Sequence, residues 1–500
     1  MPEAEGVAAA RPLGALVRWA KLRKHLIAVV LVAVAGFFTR SWEGDLHGDP
    51  VRYAAISKTI LQTGDWVTMH DAPGVVYANK PPLMFWLVAV NFRLFGVGIY
   101  AAKFWSCFFA AAGCVMTYLI GKRLFGTTAG MLAAVTLTMT PGVLMNVIDV
   151  RMDSTILFCV ALSAYAVLRA DDESQPRWLL LAGVAAGLGV MTKSAAGGLA
   201  GILTFLLVLI RRPRWLIHPY AFGAVGLGLL IAAPWHVAVL LRQRAAFTEH
   251  YFGEQIEDRL VLGSHIPANI GRYVATFLLR SMPWCLLGAW TLARWRRFGR
   301  AERWGATIAL VWAAEVILLM AIAPKPYDRY LVPAYPAVAL LAGLGLDRLL
   351  SERVKAAAPA VLAYGAVAGV FLLATLPIRV HTYRCEGFAH ARPLLDQVAP
   401  GRSIATCSSL TPGESEGDRV PWGLCAKAGF YLDRAVVSYR SPRKLWESSE
   451  CFAVVREEAL KDLAEVGFEP VLALDGSYWL IQRRPTAGDG TPGRPPLPPP

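Results

Sequence analysis

Long apolar runs separated by short charged punctuation dominate the first 377 residues. Runs long enough to cross a membrane fall near residues 22–40, 100–120, 128–148, 154–170, 178–192, 195–210, 220–240, 272–292, 305–323, 331–347 and 358–377. Their length and spacing predict about eleven transmembrane helices. Two intervening segments, 41–99 and 241–271, are too long for plain connectors and predict ordered loops that carry function. In the first, RYAAISKTILQ sets Tyr53, Ile56 and Ile60 on one helical face, and PPLMFWLVAVNFRLFG is apolar yet short for a span. Both predict helices lying at the membrane surface. After Pro377 the period changes: SIATCSS, RAVVSYR, CFAVVR and SYWLIQR alternate like strands around a helical EEALKDLAEVGF. The predicted fold class is therefore an all-α polytopic membrane bundle, residues 22–377, with a small C-terminal α/β extracytoplasmic domain, residues 378–485. The Pro/Gly-rich residues 486–500 predict a disordered tail.

Composition agrees with this reading and removes an alternative. Of 500 residues 55% are hydrophobic and 17% charged, more apolar surface than a soluble fold hides. The net charge of +14 suggests nucleic acid, but the basic residues sit in short loops between apolar runs and not along one amphipathic face. With residues 1–21 inside, Lys122/Arg123, Arg169/Arg177, Arg211/Arg212/Arg214, Arg294–Arg303 and Arg348/Arg353/Lys355 all fall on the cytoplasmic side. This positive-inside pattern orients the bundle and places the C-terminal domain outside, as in a bacterial inner membrane. Ala33-Val34-Ala35 also fits a signal-peptidase site, but the many later spans favour an uncleaved first helix. Four cysteines, Cys385, Cys407, Cys425 and Cys451, fall in the outer domain and predict two disulfides. Zinc is the rival there, although no C-x-x-C occurs.

Ionisable residues gather on the outer side of the predicted bundle. Asp45, His47 and Asp49 follow the first span; Asp49 before Pro50 also reads as a helix N-cap. Lys80, held extended by Pro81, is either an interfacial snorkel or a point charge for a phosphate. Asp149, Arg151 and Asp153 end the third span, with Asp153 also a plausible cap. Lys193, His236, Lys325, Tyr327 and Arg329 reach the same side. Each has a structural explanation alone; together they put carboxylates, cations and an imidazole on one face, which marks a functional site. Arg280 and Glu315 lie inside apolar runs, each about eight residues from the outer end and thus ~12 Å deep. An unpaired charge there is costly, so the two are expected to pair.

These segments resemble a known pattern. Asp49-x-x-Arg52-Tyr53-Ala54, Thr63-Gly64-Asp65-Trp66, Lys80-Pro81-Pro82-Leu83 with Trp86, and Leu94-Phe95-Gly96 are similar to the first outer loop of the GT-C glycosyltransferases. The aminoarabinose transferases and protein mannosyltransferases are the nearest branch. Gly121–Gly126, Arg151-x-Asp153, Thr192-Lys193, Pro234-Trp235, Pro283-Trp284 and Lys325–Pro333 agree with it. The resemblance implies inverting transfer from a polyprenyl-phosphate sugar donor to a hydroxyl acceptor (lipid, glycan or protein) at the outer leaflet. It implies that Asp49 is the catalytic carboxylate; Asp153 is the second catalytic candidate, expected to orient or bind and not to take the proton. Asp45, Arg52, Tyr53, Lys80, Lys193, His236, Lys325, Tyr327 and Arg329 are then the substrate-binding set, and Lys80, Lys325 and Arg329 stabilise the leaving phosphate. The chain departs from the pattern at Pro50, where relatives often carry an acid, and at Glu254-Gln255, where Glu-His is frequent. No obligate metal is expected, since a metal site in relatives draws on such residues. The rival function is a lipid or sugar transporter or flippase, but no inverted repeat and no acidic path through the bilayer depth is visible. A membrane scaffold displaying the outer domain leaves the charged face unexplained.

Overall fold

The computed structural model describes residues 24–39, 41, 45–46, 48–72, 75–352, 386–398, 400–401, 403–407, 422–434, 436–439, 442–448, 452–474 and 477–484. The expected span at 358–377 and the tail lie outside them, as do His47, Cys385, Cys451 and the side chains of Glu254, Gln255, Cys407 and Cys425. The chain divides into two compact units. One is Met1–Trp42, Asn79–Met84 and Lys103–Arg379; the other is Glu43–Ala78, Phe85–Ala102 and Val380–Pro500.

The helices run in chain order as α1 (Lys24–Thr39), α2 (Asp49–Thr63), α3 (Leu83–Phe95), α4 (Ile99–Phe125), α5 (Thr127–Thr138), α6 (Pro141–Val147), α7 (Asp153–Glu173), α8 (Leu179–Gly197), α9 (Leu199–Arg211) and α10 (Pro219–Arg242). After them come α11 (Arg244–Ala246), a π-helical stretch (Phe247–Glu257), α12 (His265–Arg280), α13 (Trp284–Ala293), α14 (Arg300–Ala321) and α15 (Tyr335–Glu352). Among the described residues six segments are long and apolar enough to cross a membrane, or seven if α5 and α6, bent by 55° at Met139–Thr140, make one span. The run at 272–292 is not one helix. It breaks at Ser281–Pro283 between α12 and α13, so Arg280 is the last residue of a helix and not the interior of one. The expected Arg280–Glu315 pair is accordingly absent. Arg280 reaches Asp328 at 3.5 Å and Met145 Sδ at 2.7 Å, while Glu315 is buried on α14 and, among the described residues, makes no side-chain ion pair.

Charged partners fix how the long helices run. At one end of α7, Asp171 accepts from Arg211 (2.7 Å) and Arg212 (2.5 Å), and Arg123 donates to Asp172. Arg169 holds Glu173 and lies 3.7 Å from the Trp178 ring centre. Arg211 also covers Trp304 near the start of α14, whose Glu302 pairs with Arg348 at the end of α15. The C-terminal ends of α7, α9 and α15 therefore share one end of the bundle with the start of α14. Their basic residues are those that the sequence pattern assigns to one side of the membrane.

Small residues let the apolar helices touch. A Cβ on Gly183 of α8 would lie 2.2 Å from the Ala224 carbonyl oxygen of α10, and one on Gly187 would lie 2.8 Å from that of Gly228. In lipid no hydrophobic force drives helices together, so such close backbone approach supplies the attraction. The rest of α10 is open: Phe222, Val225, Leu229, Leu230, Val237 and Leu241 are exposed, as suits a lipid-facing helix.

The second unit joins α2, α3 and a short hairpin, β1 (His70–Ala72) with β2 (Val75–Val76), to a five-stranded sheet. The sheet strands are β3 (Ile404–Cys407), β4 (Val436–Tyr439), β5 (Phe452–Arg456), β6 (Phe468–Ala473) and β7 (Tyr478–Arg483), in the order β4-β3-β5-β7-β6. Strands β4, β3 and β5 are parallel, and β7 runs antiparallel to β5 and β6. Phe452 and Val454 face a core with Phe388, Ile404 and Leu480; Ala453 and Val455 face another with Leu445, Leu463 and Ile481. Both faces of β5 are thus buried, where the expected alternation would bury only one. The pattern missed β6, whose Pro470 weakens a strand signal but is tolerated on a sheet edge.

Gly183→Val is expected to lower the melting temperature of the detergent-solubilised protein, at an overpacking cost of roughly 1–3 kcal/mol. Gly226→Val on the same α8–α10 pair, where an added Cβ meets nothing within 4 Å, should leave it unchanged; equal melting temperatures for the two variants would refute the close-packing account.

Candidate active site

The candidate residues fall in two groups, one in each unit. In the second unit, α2 begins at Asp49, but Asp49 is not the cap. Gly48, at φ 64° and ψ −135°, occupies that position, and Asp49 and Pro50 are the first two helical residues. The Asp-Pro spacing thus started the helix as expected, while the capping role passed to a glycine whose φ a larger residue adopts only with strain. Asp49 is half-buried, and its charge acts on the phenol of buried Tyr77. Arg52, one turn on, donates Nε to Asp71 Oδ1 at 2.9 Å, pairs through its second nitrogen with Oδ2, and lies 4.9 Å from the Tyr77 ring centre. A bidentate guanidinium–carboxylate fork of this kind orients both groups. Tyr53 turns inward, edge-on to Phe85 at 5.5 Å, and is part of the core. Asp45 is half-buried just ahead of the helix.

The Thr63-Gly64-Asp65-Trp66 motif is a turn. Gly64, at φ 71°, closes α2 by donating to the Ile60 carbonyl at 2.9 Å. Asp65 Oδ1 then accepts from the backbone of Val67 (3.0 Å) and Thr68 (2.9 Å), and Trp86 Nε1 holds the Trp66 carbonyl at 2.7 Å.

In the first unit the centre is a buried ion pair. Asp153, at the first turn of α7, accepts from the ammonium of Lys193 near the end of α8, and both are buried. Lys193 reaches it because α8 breaks there: Lys193 (φ −149°, ψ 49°) and Ser194 (φ 42°, ψ −125°) leave helical geometry. A serine at that φ is strained, and such strain is kept where the surroundings over-determine it, commonly at functional sites. The ammonium also lies 4.6 Å from the ring centre of Tyr330. The Tyr330 hydroxyl accepts from Arg259, which the π-helical stretch delivers, and Arg329 lies 5.9 Å from the same ring. Arg259 and Arg329 are close enough to act electrostatically on Lys193. Three cations thus meet around one tyrosine, and one of them, Lys193, is paired with Asp153.

Neighbouring groups extend this centre. Ser106 of α4 both donates to the Arg151 carbonyl (3.0 Å) and accepts from its N–H (2.8 Å). Burial pushes the Asp149 carboxyl up, against the opposing pull of Arg151 and Lys103. Tyr327 is exposed beneath Arg329 at 4.4 Å, its N–H donating to Tyr273. Lys325 is exposed in the same loop, and Lys80 is half-buried at the bend before Pro81. His236 makes a different set of contacts: Nε2 meets the Tyr251 hydroxyl at 2.6 Å and Nδ1 the Ala232 carbonyl at 2.8 Å. That hydrogen bond and a stack of Phe247 on Tyr251 (4.7 Å) seat the π-helical stretch ahead of Arg259. Sequence reasoning passed over Arg259, Lys103 and Asp71, none of which belongs to a motif. Lys103 alone carried a signal, as a charge within the apolar run IYAAKFWSC. Among the described residues no three His, Cys, Asp or Glu side chains gather into a group that could hold a metal ion.

Residues 79–237 match the dolichyl-phosphate-mannose-protein mannosyltransferase family. The undecaprenyl phosphate-alpha-4-amino-4-deoxy-L-arabinose arabinosyl transferase 1 of Pseudomonas fluorescens is 29% identical over 318 residues, covering 61% of this chain and 54% of the relative. A transferase of the same description from Pseudomonas aeruginosa is 27% identical over 381 residues, 73% of this chain and 68% of the relative. The chain thus spans from about half to two thirds of the length of the curated relatives it matches. Among solved structures, ArnT from Cupriavidus metallidurans bound to undecaprenyl phosphate superposes with a TM-score of 0.71 at 20% identity, over 94% of this chain and all of that one. The archaeal oligosaccharyltransferase AglB from Archaeoglobus fulgidus follows with 0.58 at 13% identity, over 88% of this chain and 70% of that one. This chain has the fold of the GT-C membrane glycosyltransferases and, among them, resembles the aminoarabinose transferases.

Proposed function

We propose that the protein transfers a sugar, with inversion, from a polyprenyl-phosphate donor to a hydroxyl acceptor at the outer face of a bacterial inner membrane. The observation that carries the reading is the cluster of Lys193, Arg259 and Arg329 around Tyr330 and Asp153. Guanidinium and ammonium groups gathered at one place suit a phosphate, which they hold by charge-assisted hydrogen bonds, and a lipid phosphate is such a group. The named relatives use undecaprenyl-phosphate sugars, and the superposed ArnT structure holds undecaprenyl phosphate, which supports that choice of anion.

In this mechanism the acceptor oxygen attacks the anomeric carbon from the face opposite the phosphate. The carbon–oxygen bond to the phosphate breaks, and Asp49 takes the acceptor proton as the new bond forms. The phosphate gains charge as it leaves, and Lys193, Arg259 and Arg329, with Lys80 and Lys325, stabilise it. Asp153 keeps Lys193 oriented. Arg52, locked by Asp71, holds the start of α2 in register. A divalent metal is not needed for any of these steps. The acceptor is a lipid, a glycan or a protein. The reading also takes the bundle as about eleven spans with the sheet on the outer side, alongside the first loop.

Asp49→Asn is expected to cut transfer by about 100-fold or more while leaving the melting temperature in place. Retention of a tenth of wild-type turnover would remove Asp49 as the base. Asp153→Asn should cost less, and mainly by raising the KM for the donor, since Lys193 loses its charged partner. Reporter fusions after Arg123, Arg214 and Arg300 are expected to report the cytoplasm, and a fusion after Pro377 the outside; a cytoplasmic signal from the last would reverse the orientation.

A further inference from the structure

The helix that carries Asp49 and Arg52 is gripped by a stretch of chain far away in sequence. Lys58 of α2 is buried; its ammonium donates to the Gly429 carbonyl at 2.8 Å and lies 2.6 Å from Asp433 Oδ1. Gln62 donates to the same Asp433 oxygen at 3.0 Å. Ahead of the helix, the Leu46 N–H donates to the Tyr431 hydroxyl at 2.9 Å, and that hydroxyl donates back to the Leu46 carbonyl at 3.3 Å. Between them, Phe430 packs on Phe92 of α3. Residues 429–433 therefore contribute a carbonyl, a ring, a hydroxyl and a carboxylate to both flanks of α2.

An apolar contact would bury this surface at lower cost than an ammonium does, so the polar geometry is better explained by orientation than by stability. The placement is consistent with that. At about 100° per residue, Lys58, nine positions after Asp49, lies about half a turn around the helix from it. Lys58 thus holds α2 from the side opposite Asp49. A catalytic group tolerates displacements of only roughly 0.5 Å or 10–20°, so a helix free to roll about its axis would lose its base.

We propose that the 429–433 turn is a clamp that sets the rotation of α2, with Lys58 and Tyr431 as positioning residues for Asp49 and Arg52. The proposal rests on the reading of Asp49 given under Proposed function, and its test separates the two. In the full-length protein without substrate, hydrogen exchange across residues 49–63 is expected to speed up in Lys58→Met and, less, in Tyr431→Phe. Unchanged exchange in both overturns the clamp, whatever the activity. With undecaprenyl-phosphate-linked 4-amino-4-deoxyarabinose as donor and cell-envelope membranes as acceptor, Lys58→Met should lower kcat roughly 10- to 100-fold, as small misplacements do. The donor KM should stay within about twofold, because the cations of the first unit are untouched. The loss should also vanish in the Asp49→Asn background, since a base already removed cannot be misplaced. Wild-type turnover in Lys58→Met, or losses that add in the double variant, would overturn the proposal. Should Lys58→Met fail to fold, Tyr431→Phe, which removes a single oxygen, carries the same criteria. A wild-type protein that labels no acceptor would rule out aminoarabinose as the sugar, and the exchange measurement would then decide the clamp alone.

Discussion

The buried pair of Asp153 and Lys193 is the interaction on which the first unit is organised. An ammonium among apolar helices is tolerated only with a partner at hand, and α8 delivers it by leaving helical geometry at Lys193 and Ser194. Once Lys193 is fixed, the other groups fall around it: the Tyr330 ring beneath the ammonium, Arg259 on the Tyr330 hydroxyl, and Arg329 close by. The opposite ends of the same helices are settled differently, by exposed arginines, carboxylates and tryptophan rings that anchor but do not enclose. The first end is built around a buried ammonium, Lys193, and the second around a buried carboxylate, Asp171.

Much of this was legible in the residues, for reasons that can be named. Apolar length located α4, α7, α8, α10, α14 and α15, because a span must satisfy its own backbone and shed charge. Alternation found β3, β4, β5 and β7, and a helical period found α2 with Tyr53, Ile56 and Ile60 turned inward. The run at 272–292 misled, since hydropathy does not register a helix that stops at Ser281–Pro283 and restarts. The Arg280–Glu315 pairing failed with it. Asp49 was read as a cap because Asp-Pro favours one; the glycine before it took the position. Arg259 escaped because a π-helical stretch has no clear sequence period, and its aim at Tyr330 depends on Tyr251 and Phe247 packing on α10.

Burial also distinguishes roles that the motifs ran together. Arg52 and Tyr53 are adjacent in the first-loop pattern, yet one is locked to Asp71 and the other is core. Thr63-Gly64-Asp65-Trp66 is explained by turn chemistry, since a left-handed glycine and a side-chain acceptor are what that bend requires. A strong motif can thus mark architecture, while an unremarked charge such as Arg259 stands in the cluster around Tyr330.

The partners of α2 have a consequence for how the chain is made. Lys58 and Gly429 are 371 positions apart, and a ribosome adding roughly 5–20 residues per second needs roughly 20–75 s to cover that interval. Throughout it, the helix bearing Asp49 has been synthesised but its anchoring turn does not exist. The polar face of α2 must stay in water or in the care of a chaperone, while the long helices of the first unit are already entering the bilayer. Assembly of the candidate active site is therefore a late event, completed only when the last quarter of the chain arrives.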